Sequence, residues 1–129
     1  RILDVGCGSA VLSIAAAQLG HTVVAIDIDG EALANAQHNA ALNGFETEIH
    51  ISQGTASEIG ERFPVVVANI LAPILVAESK SISARCDGHL ILSGLLEKHV
   101  PEILDAYAEW RVEESLSRGP WRVLYMVRR

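Results

Sequence analysis

The chain has 129 residues, half of them hydrophobic, and its 16 acidic residues outnumber its 10 lysines and arginines to give a net charge of −6. This apolar content excludes a disordered chain, and no uncharged apolar run approaches the roughly 18 residues needed to cross a bilayer. The acidic balance without basic clusters argues against a dedicated nucleic-acid surface. Cys7 and Cys86 stand far apart, so neither a disulfide framework nor a zinc site is expected, and a reducing environment is favoured.

The length suits a single domain, which we assign to residues 1–129. The chain begins at Arg1, without a methionine or a signal peptide, and is already in an apolar run at Ile2. We therefore expect an excised domain whose upstream partner is missing.

The first half of the chain alternates apolar runs with helical patterns. The patterns predict strands at 2–5, 22–28 and 46–52 and helices at 9–19 and 31–43. Ser9 is the predicted N-cap of the first helix, and Gly20 and Gly44 stand where the two helices should end. The alternation within 46–52 indicates a strand with one wetter face.

The second half continues this alternation and closes with two strands. The predicted elements are strands at 65–68, 89–93, 111–116 and 121–127 and helices at 73–84 and 97–109. Pro101 falls in the first turn of the last helix, where a missing N–H is tolerated. The short link between the last two strands predicts an antiparallel hairpin.

These elements predict a doubly wound α/β fold, because near-continuous apolar strands alternating with helices are typical of a parallel sheet covered on both faces. The final hairpin should add an antiparallel strand at one edge, completing a mostly parallel seven-stranded sheet. Ligands of such folds bind beyond the carboxyl ends of the strands.

A glycine-rich turn joins the first strand to the first helix. Gly6 and Gly8 allow the backbone to turn tightly and approach a ligand, and the helix N-terminus supplies unpaired N–H groups. The alternative interpretation is a tight turn that needs glycine only for its conformation.

An acidic residue ends the second strand about twenty residues later. Asp27 is placed to accept both hydroxyls of a ribose, whereas Asp29 is better placed as an N-terminal acid of the following helix. The glycine turn and Asp27 together favour nucleoside binding.

Two residues distinguish between nucleoside cofactors. The dinucleotide fingerprint would have glycine where this chain has Val11, whose branched side chain should crowd the helix against the sheet and a pyrophosphate. Asp4, before the glycines, would repel a pyrophosphate but can position a cationic amino group. A ribose-bearing cation such as S-adenosyl-L-methionine (SAM) fits both observations.

Asn69 ends the fourth strand beside the expected cleft. Its amide can accept a hydrogen bond from an amine while donating another to a carboxylate or carbonyl. The alternative is that Asn69 caps the turn into the helix that begins near Pro73.

Three segments resemble the class I SAM-dependent methyltransferases, and within them the PrmA family, which methylates large-subunit ribosomal protein eleven. They are residues 4–10 (DVGCGSA), 25–29 (AIDID) and 65–72 (VVVANILA). Residues 40–44 and 92–96 and the closing strand at Trp121 extend the resemblance over essentially the whole chain.

The resemblance implies a set of cofactor contacts and one residue near the methyl-transfer site. The cofactor contacts fall on Asp4, Gly6, Cys7, Gly8, Asp27, Ile28 and Asn69, and Asn69 is also the predicted catalytic residue, orienting the acceptor amine. Ala10 departs from the family, which usually has glycine there. If position 10 needs positive φ, alanine costs on the order of 1 kcal/mol and weakens cofactor binding.

The implied reaction is in-line methyl transfer from SAM to lysine ε-amino and N-terminal α-amino groups of a ribosomal protein. No general base can be named, and desolvation of the lysine supplies the neutral amine. The expected partner is recognised through an N-terminal domain absent from this chain. We expect a cytoplasmic monomer without direct nucleic-acid or membrane contact.

Other hypotheses for the function remain open. In one, the methyl acceptor is a lysine of another protein or a small molecule; in another, the chain is a truncated, non-catalytic SAM-binding domain. An NAD-dependent oxidoreductase is disfavoured by Val11.

The five histidines are scattered without ligand spacing, so no metal site is expected. Trp110 and Trp121 are predicted to pack in the core or on an edge strand, and Gly54 and Thr55 to flank an adenine.

Overall fold

The computed structural model describes all 129 residues as alternating strands and helices. The strands are β1 Ile2–Val5, β2 Val23–Asp27, β3 Ile49–Gln53, β4 Phe63–Asn69, β5 Cys86–Leu96, β6 Trp110–Arg118 and β7 Trp121–Arg128. The helices are α1 Val11–Gln18, α2 Gly30–Leu42, α3 Ala72–Ala77, α4 Ser79–Arg85 and α5 Val100–Ala106, with 3₁₀ turns at Ala56–Glu58 and Glu97–His99.

All seven strands form one sheet in the order β3-β2-β1-β4-β5-β7-β6. Strands β1 to β5 pair in parallel with one another. Strand β7 runs antiparallel to both of its neighbours, β5 and β6. The doubly wound fold and the antiparallel C-terminal strand are therefore confirmed. The predicted edge position of that strand is wrong, because β6 forms the edge and β7 lies inside it. The polar, mostly exposed β6 suits an edge, whereas β7 contributes Leu124 and Met126 to the core.

The two faces of the sheet are covered by different kinds of helix. On one face α3, α4 and α5 pack large side chains, among them Leu75, Ile82 and Ile103, against the sheet. On the other face α1 and α2 contribute mainly alanines, including Ala36 and Ala40. The small side chains let these helices lie close to the strands, so their backbones approach the carboxyl ends of β1 and β2.

Several local predictions differ from the structure. The predicted helix 73–84 is two helices separated at Glu78 (φ −92°, ψ 7°), whose backbone carbonyl and carboxylate both accept hydrogen bonds from the Ser81 hydroxyl (2.9 and 2.7 Å). The prediction that Ser9 is the N-cap of α1 is wrong, because Ala10 occupies that position. Helix α5 is shorter than predicted, since Glu97–His99 forms a 3₁₀ turn, but a proline does lie in its first turn.

The two tryptophans have different environments. Trp110 is buried and its Nε1 donates to the Ser83 hydroxyl at 2.9 Å, so its predicted place in the core is confirmed. Trp121 is 52% exposed, and its strand β7 is internal to the sheet, so the prediction of core or edge-strand packing is wrong for this residue.

None of the five helices combines the length and the apolar character that a membrane-spanning helix requires.

Candidate functional site

Three adjoining cavities lie at the carboxyl ends of the parallel strands. Cavity A (about 210 Å³) is bounded by β1, β2, the turn after β3 and α3, and cavity B (about 320 Å³) by the turn between β1 and α1. Cavity C (about 480 Å³) lies between the ends of β4 and β5 and the β6–β7 hairpin. Gly6 lines both A and B, Asn69 lines both B and C, and Ile70 lines both A and C.

The seven residues predicted from the sequence all line cavity A or cavity B: Asp4, Gly6, Cys7, Gly8, Asp27, Ile28 and Asn69. The fold therefore gathers into one groove residues that are up to 65 positions apart in the chain. None of the five histidines lines any of the three cavities.

Gly6 occupies a position that no other residue can take without displacing its neighbours. Its φ is +71°, and a Cβ at this position would lie 2.3 Å from Cγ2 of Ile70. The N–H groups of Gly6 and Cys7 both donate to the Ile26 carbonyl (2.8 and 2.9 Å), which ties the turn to the end of β2. The turn thus has both a conformational and a steric requirement for glycine.

Asp27 is held in place through both of its carboxylate oxygens. The N–H of Gly8 donates to Oδ2 at 2.9 Å, and the N–H of Asp29 donates to Oδ1 at 3.0 Å. Each oxygen retains a further lone pair toward cavity A. Asp29 accepts from the N–H of Glu31 as the N-cap of α2, which confirms its predicted place at the start of that helix.

Asp4 is a buried acid at the base of cavity B. It is 1% exposed, and burial raises the pKa of its carboxyl from 3.8 to about 6. The hydroxyl of Ser13 donates to Oδ2 at 2.6 Å and opposes this rise, whereas the charge of Asp27 adds to it. The base of cavity B therefore carries a negative charge that no basic side chain neutralises by an ion pair.

Cys7 forms a neutral part of the same wall. Burial, with the charges of Asp4 and Asp27, raises the pKa of its thiol to about 12. The thiol therefore stays protonated at neutral pH and is not a nucleophile.

Gly54 and Thr55 line cavity A together with Asp27. The N–H of Gly54 donates to the Asp27 carbonyl at 3.1 Å, and the N–H of Thr55 donates to the Glu58 carboxylate at 2.8 Å. A Cβ at Gly54, where φ is +151°, would lie 2.5 Å from Oε2 of Glu58. These contacts fix the turn after β3 against the end of β2.

Asn69 lies between cavities B and C. The alternative in which it caps the next helix is wrong, because the N-cap of α3 is Leu71 and no side chain caps it. Gly94 lies close to it: a Cβ at Gly94 would be 2.8 Å from Oδ1 of Asn69 and 2.7 Å from the Ile70 carbonyl oxygen. The absence of a side chain at Gly94 thus leaves room for the Asn69 amide at the boundary of the two cavities.

Sequence reasoning missed most of cavity C. Its lining includes Ser93, Gly94, Leu116, Ser117, Arg118, Trp121 and Arg122, but no carboxylate. Arg122 pairs with Glu97 at 3.1 Å. The tight β6–β7 hairpin is the one sequence signal for this cavity, since it places Arg118 opposite Trp121 in register.

Val11 has a different position from the one expected. It is 66% exposed and lines cavity B, so it does not crowd α1 against the sheet as predicted.

Ala10 has a positive φ, the case considered in the sequence analysis (φ 69°, ψ 24°). No other non-glycine residue adopts this left-handed conformation. Its methyl group is fully buried with Ala36 and Ala40 and does not line any of the three cavities.

Ala10→Gly is expected to change the free energy of unfolding by less than about 1 kcal/mol. Relief of the left-handed strain, about 1–2 kcal/mol, is offset by the lost burial of one methyl, about 0.8 kcal/mol, and by the larger entropy of the unfolded glycine chain. Urea unfolding measures the free energy of unfolding, and ligand calorimetry measures the affinity of the site. A gain above about 2 kcal/mol or a tenfold rise in affinity would contradict this balance.

The whole chain, residues 1–129, matches the family model described as ribosomal protein L11 methyltransferase (PrmA). It is similar to the ribosomal protein L11 methyltransferase of Campylobacter fetus subsp. fetus (38% identity, covering 92% of this chain and 44% of the relative). The same protein of Stenotrophomonas maltophilia strain K279a is 37% identical, with 100% of this chain and 43% of the relative covered. The chain thus spans less than half the length of these curated relatives.

Among solved structures, the chain is similar to the ribosomal protein L11 methylase of Lactobacillus delbrueckii subsp. bulgaricus. The TM-score is 0.94 at 34% identity, covering 99% of this chain and 69% of that one. The magnesium protoporphyrin IX methyltransferase of Synechocystis PCC 6803, solved with bound SAM, shares the fold (TM-score 0.80, 21% identity, covering 99% of this chain and 69% of that one).

Proposed function

The chain belongs to the ribosomal protein L11 methyltransferase (PrmA) family, and from this we propose that it binds SAM in cavities A and B and transfers its methyl group to a ribosomal protein. The proposed acceptors are lysine ε-amino and N-terminal α-amino groups, reached through cavity C. With a ribosomal protein as the acceptor, we also propose a cytoplasmic location.

The observation that carries the proposal is the anchored carboxylate of Asp27 beside the glycine turn. Two backbone N–H groups orient this carboxylate and leave its remaining lone pairs for the two hydroxyls of a ribose. Gly6 lines both cavities, and a Cβ there would collide with Ile70, so only glycine lets the turn and Ile70 lie this close together. The residues present therefore fit a nucleoside that extends from one cavity into the next.

The charge of cavity B suits the amino-acid end of SAM. Asp4 is a buried carboxylate without a basic partner, which an ammonium group would neutralise. Ile28, Gly54 and Thr55 would enclose the adenine side in cavity A. When bound, SAM supplies an electrophilic methyl group on a sulfonium, so the chain's own tasks are binding, orientation and exclusion of water.

Asn69 is proposed to orient the acceptor amine, because it alone borders both cavity B and cavity C. Its amide oxygen can accept a hydrogen bond from the neutral amine. The lining of cavity C includes two guanidinium groups and no carboxylate, so a protonated amine is disfavoured there. The amine therefore loses its proton to water before it reaches Asn69, and no general base in the chain is required.

Titration of SAM into the chain by calorimetry tests the proposal, with NAD as the competing nucleoside. We expect micromolar binding of SAM and none of NAD. Asp27→Ala should weaken SAM binding about 100-fold or more, since two hydrogen bonds to a charged acceptor are lost.

Asp29→Ala is the matched control, because it removes a neighbouring acid that serves only as a helix cap. It should leave the affinity within about threefold of the original. Equal losses in the two variants, or binding of NAD in place of SAM, would contradict the proposed site.

A further inference from the structure

Ser13 is a fully buried polar residue whose hydroxyl contacts a charged group of the candidate site. It lies in the first turn of α1, and its Oγ donates to Oδ2 of Asp4 at 2.6 Å. This short contact lies entirely inside the protein, because both Ser13 and Asp4 are buried. One hydroxyl thus supplies the carboxylate with a direct donor.

The Asp4 carboxylate has no other neighbour on the adjoining strands that could orient it. It lies on β1 between Ala25 of β2 and Val67 of β4, neither of which is polar. The ionisable groups that act on it are Asp27, on β2, and the Cys7 thiol, in the turn, and neither donates to it or carries positive charge. Without Ser13, a carboxyl in this setting would keep its proton to a higher pH, because burial disfavours the charged form.

We propose that Ser13 is the positioning residue of cavity B: its hydroxyl orients the Asp4 carboxylate and keeps it ionised to receive the ammonium group of the cofactor. This inference rests on the proposed function, since it takes the ligand to be SAM. Ser13 acts through Asp4 and does not itself line cavity B.

The proposal predicts a change in the pH dependence of binding. The affinity for SAM in the original chain should fall as the pH falls through about 6, where Asp4 takes up its proton. Loss of a hydrogen bond to a charged group in Ser13→Ala should move this midpoint upward by about one pH unit. The affinity relative to the original chain should then fall about fivefold at pH 6 and about tenfold at pH 5, with little change at pH 8.

Calorimetric titration of SAM between pH 5 and pH 8 measures the affinity of each variant relative to the original chain. Because the two affinities are compared at the same pH, any protonation of SAM itself cancels. Ser13→Cys, which keeps the volume of the side chain and weakens its donor, should shift the midpoint in the same direction. Ser79→Ala removes a buried serine hydroxyl from α4 and should leave the midpoint in place. An equal loss of affinity at every pH would mean that Ser13 only packs, and would overturn the proposal.

A second readout does not need the ligand. The titration of the Asp4 carboxyl carbon, followed by NMR in the ligand-free chain, should move upward by about one pH unit in Ser13→Ala. An unmoved titration would overturn the proposal even if SAM binds. If the original chain binds no SAM at any pH, the proposed function fails, while this titration still decides the role of Ser13.

Discussion

Asp4→Asn is expected to stabilise the ligand-free chain at pH 8 by roughly 2–3 kcal/mol while weakening SAM binding at least tenfold. Burial raises the pKa of Asp4 in the folded chain from 3.8 to about 6, so the folded state holds this proton more tightly than the unfolded state. The stability contributed by the protonated acid is complete below about pH 4 and is lost as the pH rises through about 6. At 1.36 kcal/mol per pH unit, the loss amounts to roughly 3 kcal/mol.

Asparagine carries no charge at any pH and can still accept the hydrogen bond from Ser13. Urea unfolding at pH 4 and at pH 8 should therefore show a small difference between variant and original at pH 4 and the full gain at pH 8. The exposed acid Asp105, replaced by asparagine, provides the control and should give no pH-dependent gain. A destabilised Asp4→Asn variant at pH 8 would show that the buried charge is not unfavourable in the folded chain.

Gly94→Ala is expected to lower the rate of methyl transfer about 100-fold or more while reducing SAM affinity less than tenfold. A Cβ at this position would lie 2.7 Å from the Ile70 carbonyl oxygen and 2.8 Å from Oδ1 of Asn69, on a backbone with φ of +79°. Backbone or the Asn69 amide must therefore move, and misplacement of a positioning group by about 1 Å can cost 10²-fold in rate. Left-handed strain adds about 1–2 kcal/mol of destabilisation.

The same strand contains the matched control. At Gly88 a Cβ would meet only the Pro64 carbonyl oxygen, at an ordinary 3.5 Å, and φ is not in the left-handed region. Transfer of labelled methyl groups to ribosomal protein L11, with calorimetry for SAM, measures both effects in Gly94→Ala, Gly88→Ala and Asn69→Ala. We expect Gly94→Ala to show the same change in transfer rate and SAM affinity as Asn69→Ala. If Gly94→Ala instead behaves like Gly88→Ala, Asn69 has no role in the transfer step.

Asn69→Ala also separates two interpretations of the role of Asn69. If the amide orients the acceptor, its loss lowers the rate with little change in cofactor affinity. If it belongs only to cavity B, affinity falls together with the rate. Because Asn69 lines both cavity B and cavity C, we expect Asn69→Ala to lower the rate by a larger factor than the SAM affinity.

The features that the sequence predicted correctly are those set by short stretches of chain. Alternation of apolar runs and helical patterns indicated the parallel sheet, and the strand ends that it implied bring Gly6, Gly8 and Asp27 together at the carboxyl edge. A strand, a tight turn and a helix start each depend on a few consecutive residues, so their physical requirements are visible in the sequence. The helix break at Glu78 was missed, because a single serine hydroxyl within an otherwise helical pattern gives too weak a signal.

The features that only the tertiary structure decided depend on contacts between distant segments. Gly94 requires glycine because of the Ile70 carbonyl, Ser13 reaches Asp4 only when α1 packs on β1, and Trp121 borders a cavity because β7 inserts between β5 and β6. The methyl group of Ala10 is buried among the alanines of α2 and lies outside the site. Sequence periodicity indicates which residues face the core, but burial, charge environment and close approach are set by the neighbours that the folded sheet brings alongside.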